Sequence, residues 1–158
     1  GMKIRVQQTE VAISMVRALG AEATPMDYAE VFQGLQTGIV DGAENDFVSY
    51  YTSGHYEVAK YYSLDQHMAP PAVLLMSKAS WDKMTEAQQE AIRKAAYEAA
   101  VWQRQAMQDY QLESRAACEA AGCEIIEVDV PSFQAAVASV YDEYPQYKTI
   151  IDMINAVE

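Results

Sequence analysis

The chain has 158 residues, enough for one domain with a sizeable core. Hydrophobic residues make up 51% and charged residues 22%, which is the profile of a packed globular protein and excludes a disordered one. The formal net charge of −12 argues against nucleic acid or an anionic membrane as partner, and it requires that any anionic small molecule be met by a local positive group.

The sequence opens with Gly1-Met2 ahead of a strand, with no basic segment and no apolar stretch before it. A cytosolic protein and a sequence that starts inside a longer one both fit; a strand at residue 3 with no preceding cap or turn favours the second. Lys3 to Gln8 alternates, with Ile4 and Val6 on one face and Lys3, Arg5 and Gln7 on the other. Arg5 stays charged at any working pH and must find a partner. That partner is either a surface carboxylate at a strand edge or a ligand carboxylate in a cleft.

Glu10 to Leu19 reads as a helix, apolar on nearly all faces and expected to be largely buried, with Gly20 as its stop. Ala23-Thr24-Pro25 is extended. Asp27 with Glu30 resembles a capping box opening a second helix, whose inner face would be Tyr28, Val31, Phe32 and Leu35 and whose end is Gly38. Ile39-Val40 is expected to be a very short strand and Asp41-Gly42 a turn, with Glu44 and Asn45 starting a helical segment through Tyr51. His55 to Ser63 reads as extended. Pro70-Pro71 is a stiff connector into Ala72–Met76, a strand expected to be buried on both faces.

The run Ala69 to Met76 is the longest apolar stretch and falls far short of a membrane span. Thr85 with Gln88 forms another capping box, and no proline or glycine follows until Gly122. One helix of roughly 35 residues, about 50 Å long, is predicted. Its stripe of Ile92, Ala95, Ala99, Trp102, Ala106 and Tyr110 is shallow and suits close packing on a sheet or across two lobes; a coiled coil would need repeated Leu or Ile. Cys118 and Cys123 flank the Gly122 stop, so their sulfurs can approach, and a disulfide is expected if the protein is made in an oxidising compartment. Two cysteines are too few for a disulfide scaffold or a zinc site. Glu124 to Val128 is a further strand, Pro131 to about Tyr141 a helix, and Tyr147 to Val157 a last helix with Ile150, Ile151 and Ile154 inside. The order is that of an α/β fold.

Catalysis finds little support. The histidines are His55 and His67, twelve residues apart and without metal-site spacing, and there is no nucleophile elbow or phosphate-cradling glycine loop. No cofactor or metal is expected. A binding site needs a charged anchor, a neutral hydrogen-bonding group and an apolar wall, and Arg5, Asn45 and Tyr28 supply these types.

Four stretches in order carry a resemblance: Lys3-Ile4-Arg5-Val6-Gln7, Leu19-Gly20-Ala21, Thr24-Pro25-Met26 with Tyr28, Glu30 and Val31, and Leu35-Gln36-Thr37-Gly38 with Val40-Asp41-Gly42-Ala43-Glu44-Asn45. Together they resemble the solute-binding proteins of tripartite ATP-independent periplasmic (TRAP) transporters over the first 78 residues, and the capped long helix also fits. The resemblance implies a periplasmic receptor that hands an organic acid to TRAP membrane subunits. It implies that Arg5 pairs with the substrate carboxylate, that Asn45 contacts the same region, that Tyr28 lies against the substrate, and that Glu44 and His67 join a polar network. For His67 an ordinary loop histidine remains the other reading.

The same resemblance implies a periplasmic-binding-protein-like lobe with a long connecting helix, lacking most of the first lobe. Residues 1–70 and 122–158 would form the carboxylate-anchoring second lobe. Residues 71–121 would supply a crossing strand and the long helix, both packing on that first lobe. Alone, such a chain is expected to bind poorly and to self-associate. Asn45-Asp46-Phe47 and the stretch Gly54 to Tyr62 resemble the sugar-acid members, so a hexuronate or related aldonate is favoured over a C4-dicarboxylate. The reading from another class is a helix-mediated interaction module with no ligand.

Overall fold

Strand β1, Lys3–Val6, is the middle of a three-stranded parallel sheet in the order β2–β1–β3. The computed structural model describes residues 1–157. On one side β1 pairs with β2, Glu22–Pro25, placing Arg5 opposite Thr24; on the other it pairs with β3, Gly42–Ala43, placing Arg5 opposite Ala43. Alternation buries Val6 and leaves Lys3 exposed, and the mid-strand Arg5 is buried as well.

Helix α1, Glu10–Ala18, starts where the Thr9 side chain accepts from the Ala12 amide at 3.3 Å. It buries a stripe of Ala12, Met15 and Val16 against Val6, with Ile4, Ile13 and Leu19 around them. Val11 is exposed, so the expectation of a helix buried on nearly all faces is corrected: apolar residues at adjacent positions cannot all face one sheet. At its end Gly20 turns to φ +84°, and the Ala21 amide donates to the Val16 carbonyl.

The second expected helix begins differently. Tyr28–Glu30 is a single 3-10 turn, and α2 proper runs Val31–Thr37. Asp27 makes no cap bond; its carboxylate accepts from Gln8 Nε2 at 2.9 Å instead, which draws it toward the β1 end. Ile39-Val40 is not a strand either. Both amides donate to the Gly34 carbonyl as the chain leaves α2 through the left-handed Gly38, and sheet pairing starts only at Gly42.

Helix α3 is Phe47–Thr52, capped by the Asp46 carboxylate on the Ser49 amide, so Glu44 and Asn45 lie in the loop before it rather than in a helix. His55 to Ser63, read as extended, divides into α4, His55–Val58, and β4, Tyr61–Ser63. Strand β4 pairs in parallel with β5, Glu124–Ile126, to make a separate two-stranded sheet. Residues of both β3 and β4 line one cavity of about 730 Å3.

The sharpest correction concerns Ala72–Met76. This segment forms no strand, and Val73, Leu74 and Leu75 are 71%, 79% and 82% exposed. It pairs with neither sheet among the described residues, and apolarity without a paired neighbour does not make a strand.

Helix α5 is Lys78–Trp81, and α6 is the predicted long helix, Glu86–Ala120, opened by the full Thr85–Gln88 capping box. Trp102, in the middle of its stripe, is exposed; the buried residues of α6 are Ser114 and Cys118, near its C-terminus. There α6 packs on α3 through a cluster of Tyr50, Cys118 and Cys123 ringed by Phe47, Tyr51, Tyr56 and Tyr62. Both cysteines are free thiols in the structure. The chain ends with α7, Val130–Val137, α8, Val140–Glu143, a 3-10 turn at Pro145–Tyr147, and α9, Lys148–Asn155. Helices α7 and α8 pack on α1, so the end of the chain belongs to the first sheet's layer.

Candidate functional site

The carboxyl ends of β1 and β3 and the loops after β3 and β4 converge on one polar cluster. Arg5 anchors it from the sheet. Its Nε and Nη2 both donate to the Met26 carbonyl, at 3.0 and 2.9 Å, which fixes the plane of the guanidinium. Its Nη1 lies 3.6 Å from Glu44 Oε1. The other Glu44 oxygen lies 3.7 Å from His67 Nε2, and His67 Nδ1 donates to Asp65 at 2.7 Å. Charges therefore alternate along Arg5, Glu44, His67 and Asp65.

These four side chains are largely withdrawn from water, with exposures of 6%, 13%, 16% and 26% in that order. The Asp65 carboxylate that accepts from Nδ1, and after it the Glu44 carboxylate 3.7 Å from Nε2, raise the His67 pKa to about 9, so the ring is an imidazolium at neutral pH. Asp65 is held below the usual carboxylate range: burial opposes this, and the His67 bond and charge outweigh it. Gln66, between them, takes a left-handed φ of 51°, which turns the residues on either side of it toward each other. Glu44 Oε1 and His67 Nε2 make no hydrogen bond at all, although both are buried. A buried polar atom of this kind is costly.

Tyr28 stands over Arg5, with the guanidinium carbon 5.7 Å from its ring centroid. Its hydroxyl shares a 2.5 Å hydrogen bond with Ser53 Oγ, and Asn45 Nδ2 donates to it at 3.4 Å. The Asn45 carbonyl accepts from the Tyr62 hydroxyl at 2.6 Å, and Tyr62 stacks on Phe47 at 4.1 Å between centroids. Thus Arg5, Glu44 and His67 form one connected set, Tyr28 and Asn45 a second that adjoins it over Arg5. All five residues singled out from the sequence fall in one region.

Three contributors were not singled out. The Met26 carbonyl is a main-chain group and leaves no sequence signal. Asp65 left a weak one in the Asp-Gln-His spacing. His55 is buried, with its ring 5.7 Å from Tyr28; burial first and the Arg5 charge second push its pKa down, so it is neutral at pH 7. Among the described residues no group of three or more His, Cys, Asp or Glu side chains is placed to hold a metal ion.

A buried arginine fork beside an aromatic wall and an amide, at the carboxyl end of a parallel sheet, has the chemistry to meet an anionic group. Residues 1–147 match the family model DctP, bacterial extracellular solute-binding protein, family 7, and the chain belongs to that family. A solute-binding protein of Chromohalobacter salexigens is 45% identical over 147 residues, covering 92% of this chain and 44% of its own length. A TRAP periplasmic solute-binding protein from Xanthobacter autotrophicus Py2, solved with bound β-D-galacturonate, superposes with a TM-score of 0.94 at 45% identity, covering all of this chain and 54% of that one. Another from Pseudomonas putida F1, with bound D-glucuronate, gives 0.95 at 40% identity, covering 100% and 52%. The chain spans about half the length of the curated relatives it matches.

Proposed function

We propose that this chain contributes the carboxylate-anchoring lobe of an extracytoplasmic TRAP solute-binding protein whose substrate is a hexuronate. Arg5 carries the reading. With Nε and Nη2 engaged by Met26, its remaining N–H groups present an end-on fork to a ligand carboxylate. Tyr28 lies against the sugar ring and Asn45 bonds the same end of the ligand. Glu44 and protonated His67 form a dipolar floor that takes hydroxyl groups or water. D-Glucuronate and β-D-galacturonate in the similar solved proteins support a uronate over a C4-dicarboxylate. The periplasm is the compartment that fits those relatives, and TRAP membrane subunits are the partners.

Residues 1–70 and 122–158 are assigned to this lobe, and residues 71–121 to a segment that faces a second lobe. The polypeptide that forms the rest of the relatives' length supplies the opposite wall of the cleft. Calorimetry with D-glucuronate, D-galacturonate and succinate, on the chain joined to that polypeptide, tests the proposal. Micromolar or tighter binding of a uronate and none of succinate is expected. Preference for succinate would overturn the uronate assignment, and binding of neither acid would overturn the function.

A further inference from the structure

We propose that Cys118 and Cys123 are a disulfide site, closed by thiol–disulfide exchange while the end of α6 forms and before the surrounding tyrosines cover the sulfurs. The helix terminus itself sets up the pair. Gly122 is left-handed at φ +85°, its amide donates to the Glu119 carbonyl, and the Cys123 amide donates to the Cys118 carbonyl, both at 3.0 Å. This is the Schellman arrangement, in which the residue after the glycine folds back on the last helical turn. A disulfide needs Cα atoms about 4.4–6.8 Å apart, and the 3.0 Å bond from the Cys123 amide to the Cys118 carbonyl holds the two residues close. Both side chains enter the same buried cluster with Tyr50. The sequence holds no third cysteine to compete.

The chemistry balances with a disulfide of the oxidised-dithiol or glutathione class as acceptor. One thiolate of the pair attacks an acceptor sulfur and expels the acceptor's other sulfur as a thiolate. The second cysteine then attacks the mixed disulfide, closing the intramolecular bond and releasing the acceptor fully reduced. Two electrons and two protons leave the chain for the acceptor.

Order of events follows from burial. Cys118 is fully inaccessible in the folded chain and Cys123 is buried beside it, so an acceptor disulfide reaches neither sulfur readily, and burial also raises the Cys118 pKa. Closure belongs to the folding chain, where a pair five residues apart meets as soon as the helix end turns. In the folded thiol form Cys123 Sγ donates to the Tyr56 carbonyl at 3.5 Å and lies 3.3 Å from the Tyr50 hydroxyl. Oxidation removes the first contact and leaves the second.

The biological setting rests on the extracytoplasmic reading above, but the test does not. The full chain is unfolded, refolded with oxidised and reduced glutathione, and alkylated under denaturing conditions with and without prior reduction. Mass spectrometry is expected to find no alkyl group without reduction and two after it. Two alkyl groups without reduction, or a retained glutathione, would overturn the proposal. Adding oxidised glutathione to folded, reduced protein should close the bond at least tenfold more slowly than during refolding; equal rates would sink the folding-stage mechanism. A raised Tm of about 5 °C for the oxidised chain is the accompanying sign. Thiol counting is independent of uronate binding, so each reading can fail without the other.

Discussion

Both hydrogen bonds that Arg5 donates go to main chain, and this makes its geometry hard to imitate. Arg5→Lys keeps the charge but loses both bonds to Met26 and the planar fork. It is expected to weaken uronate binding by about 10- to 100-fold, the equivalent of a charged hydrogen bond of roughly 1.5–3 kcal/mol. Calorimetry showing wild-type affinity for this variant would refute bidentate anchoring. For His67, NMR titration should find a pKa near 9, and Asp65→Asn should return it toward the ordinary 6.5, because Asp65 is the largest contributor to the shift. A folded pKa above the unfolded one stabilises the protein fully below about 6.5 and loses that contribution as pH rises through about 9, a swing of a few kcal/mol shared with Asp65. His55 has the opposite sign. Its depressed pKa means that stability falls as pH drops below about 6.5, because the unfolded chain then takes the proton first.

At the level of elements, the helix-end glycines, the Thr85 cap and the strands at Lys3 and Glu124 were legible, and the other expected strands and the Asp27 cap were not. Gly20, Gly38 and Gly122 all sit at helix ends with positive φ, and Thr85 closes the capping box its sequence announces. At these positions the signal acts through bonds within a few residues of the helix end. Thr85→Ala is expected to cost about 1 kcal/mol in denaturant unfolding, and Gly122→Ala about 1–2 kcal/mol for holding an L-residue at φ +85°. An unchanged midpoint for the glycine variant would show that the helix end relaxes out of the left-handed turn. Ile39-Val40 and Ala72–Met76 carry equally apolar sequences, yet neither forms a strand, because pairing depends on an edge elsewhere in the chain. Asp27 shows the same limit for polar residues: its spacing to Glu30 suggested a cap, but Gln8, nineteen residues away, claims the carboxylate. The side chains read from motifs linked in order fall together in the fold, whereas the Met26 oxygen that orients Arg5 left no trace in the sequence.

The whole molecule presents two sheets with no shared hydrogen bonds among the described strands, and a long helix packed near one end. Val73, Leu74, Leu75, Tyr97 and Trp102 are exposed on the connecting segment and α6. An apolar surface of this kind draws partners, and light scattering of the chain alone is expected to show species larger than a monomer. Adding the polypeptide that covers the rest of the relatives' length should shift the mass to one complex. A chain that stays monomeric across micromolar concentrations would show that this surface is tolerated in water.

Helix α6 also has a mechanical meaning. Its C-terminal end rests on α3, with Arg115 over the Phe47 ring, and α3 begins one residue after the Asp46 that follows Asn45. Its other end stands about 50 Å away, so a rotation of about 5° at the anchored end moves the far end by about 4 Å. A rigid helix of this length has the geometry of a lever with its fulcrum beside Asn45, so that a small angular adjustment there would reach the Glu86 end as a displacement of several times a bond length.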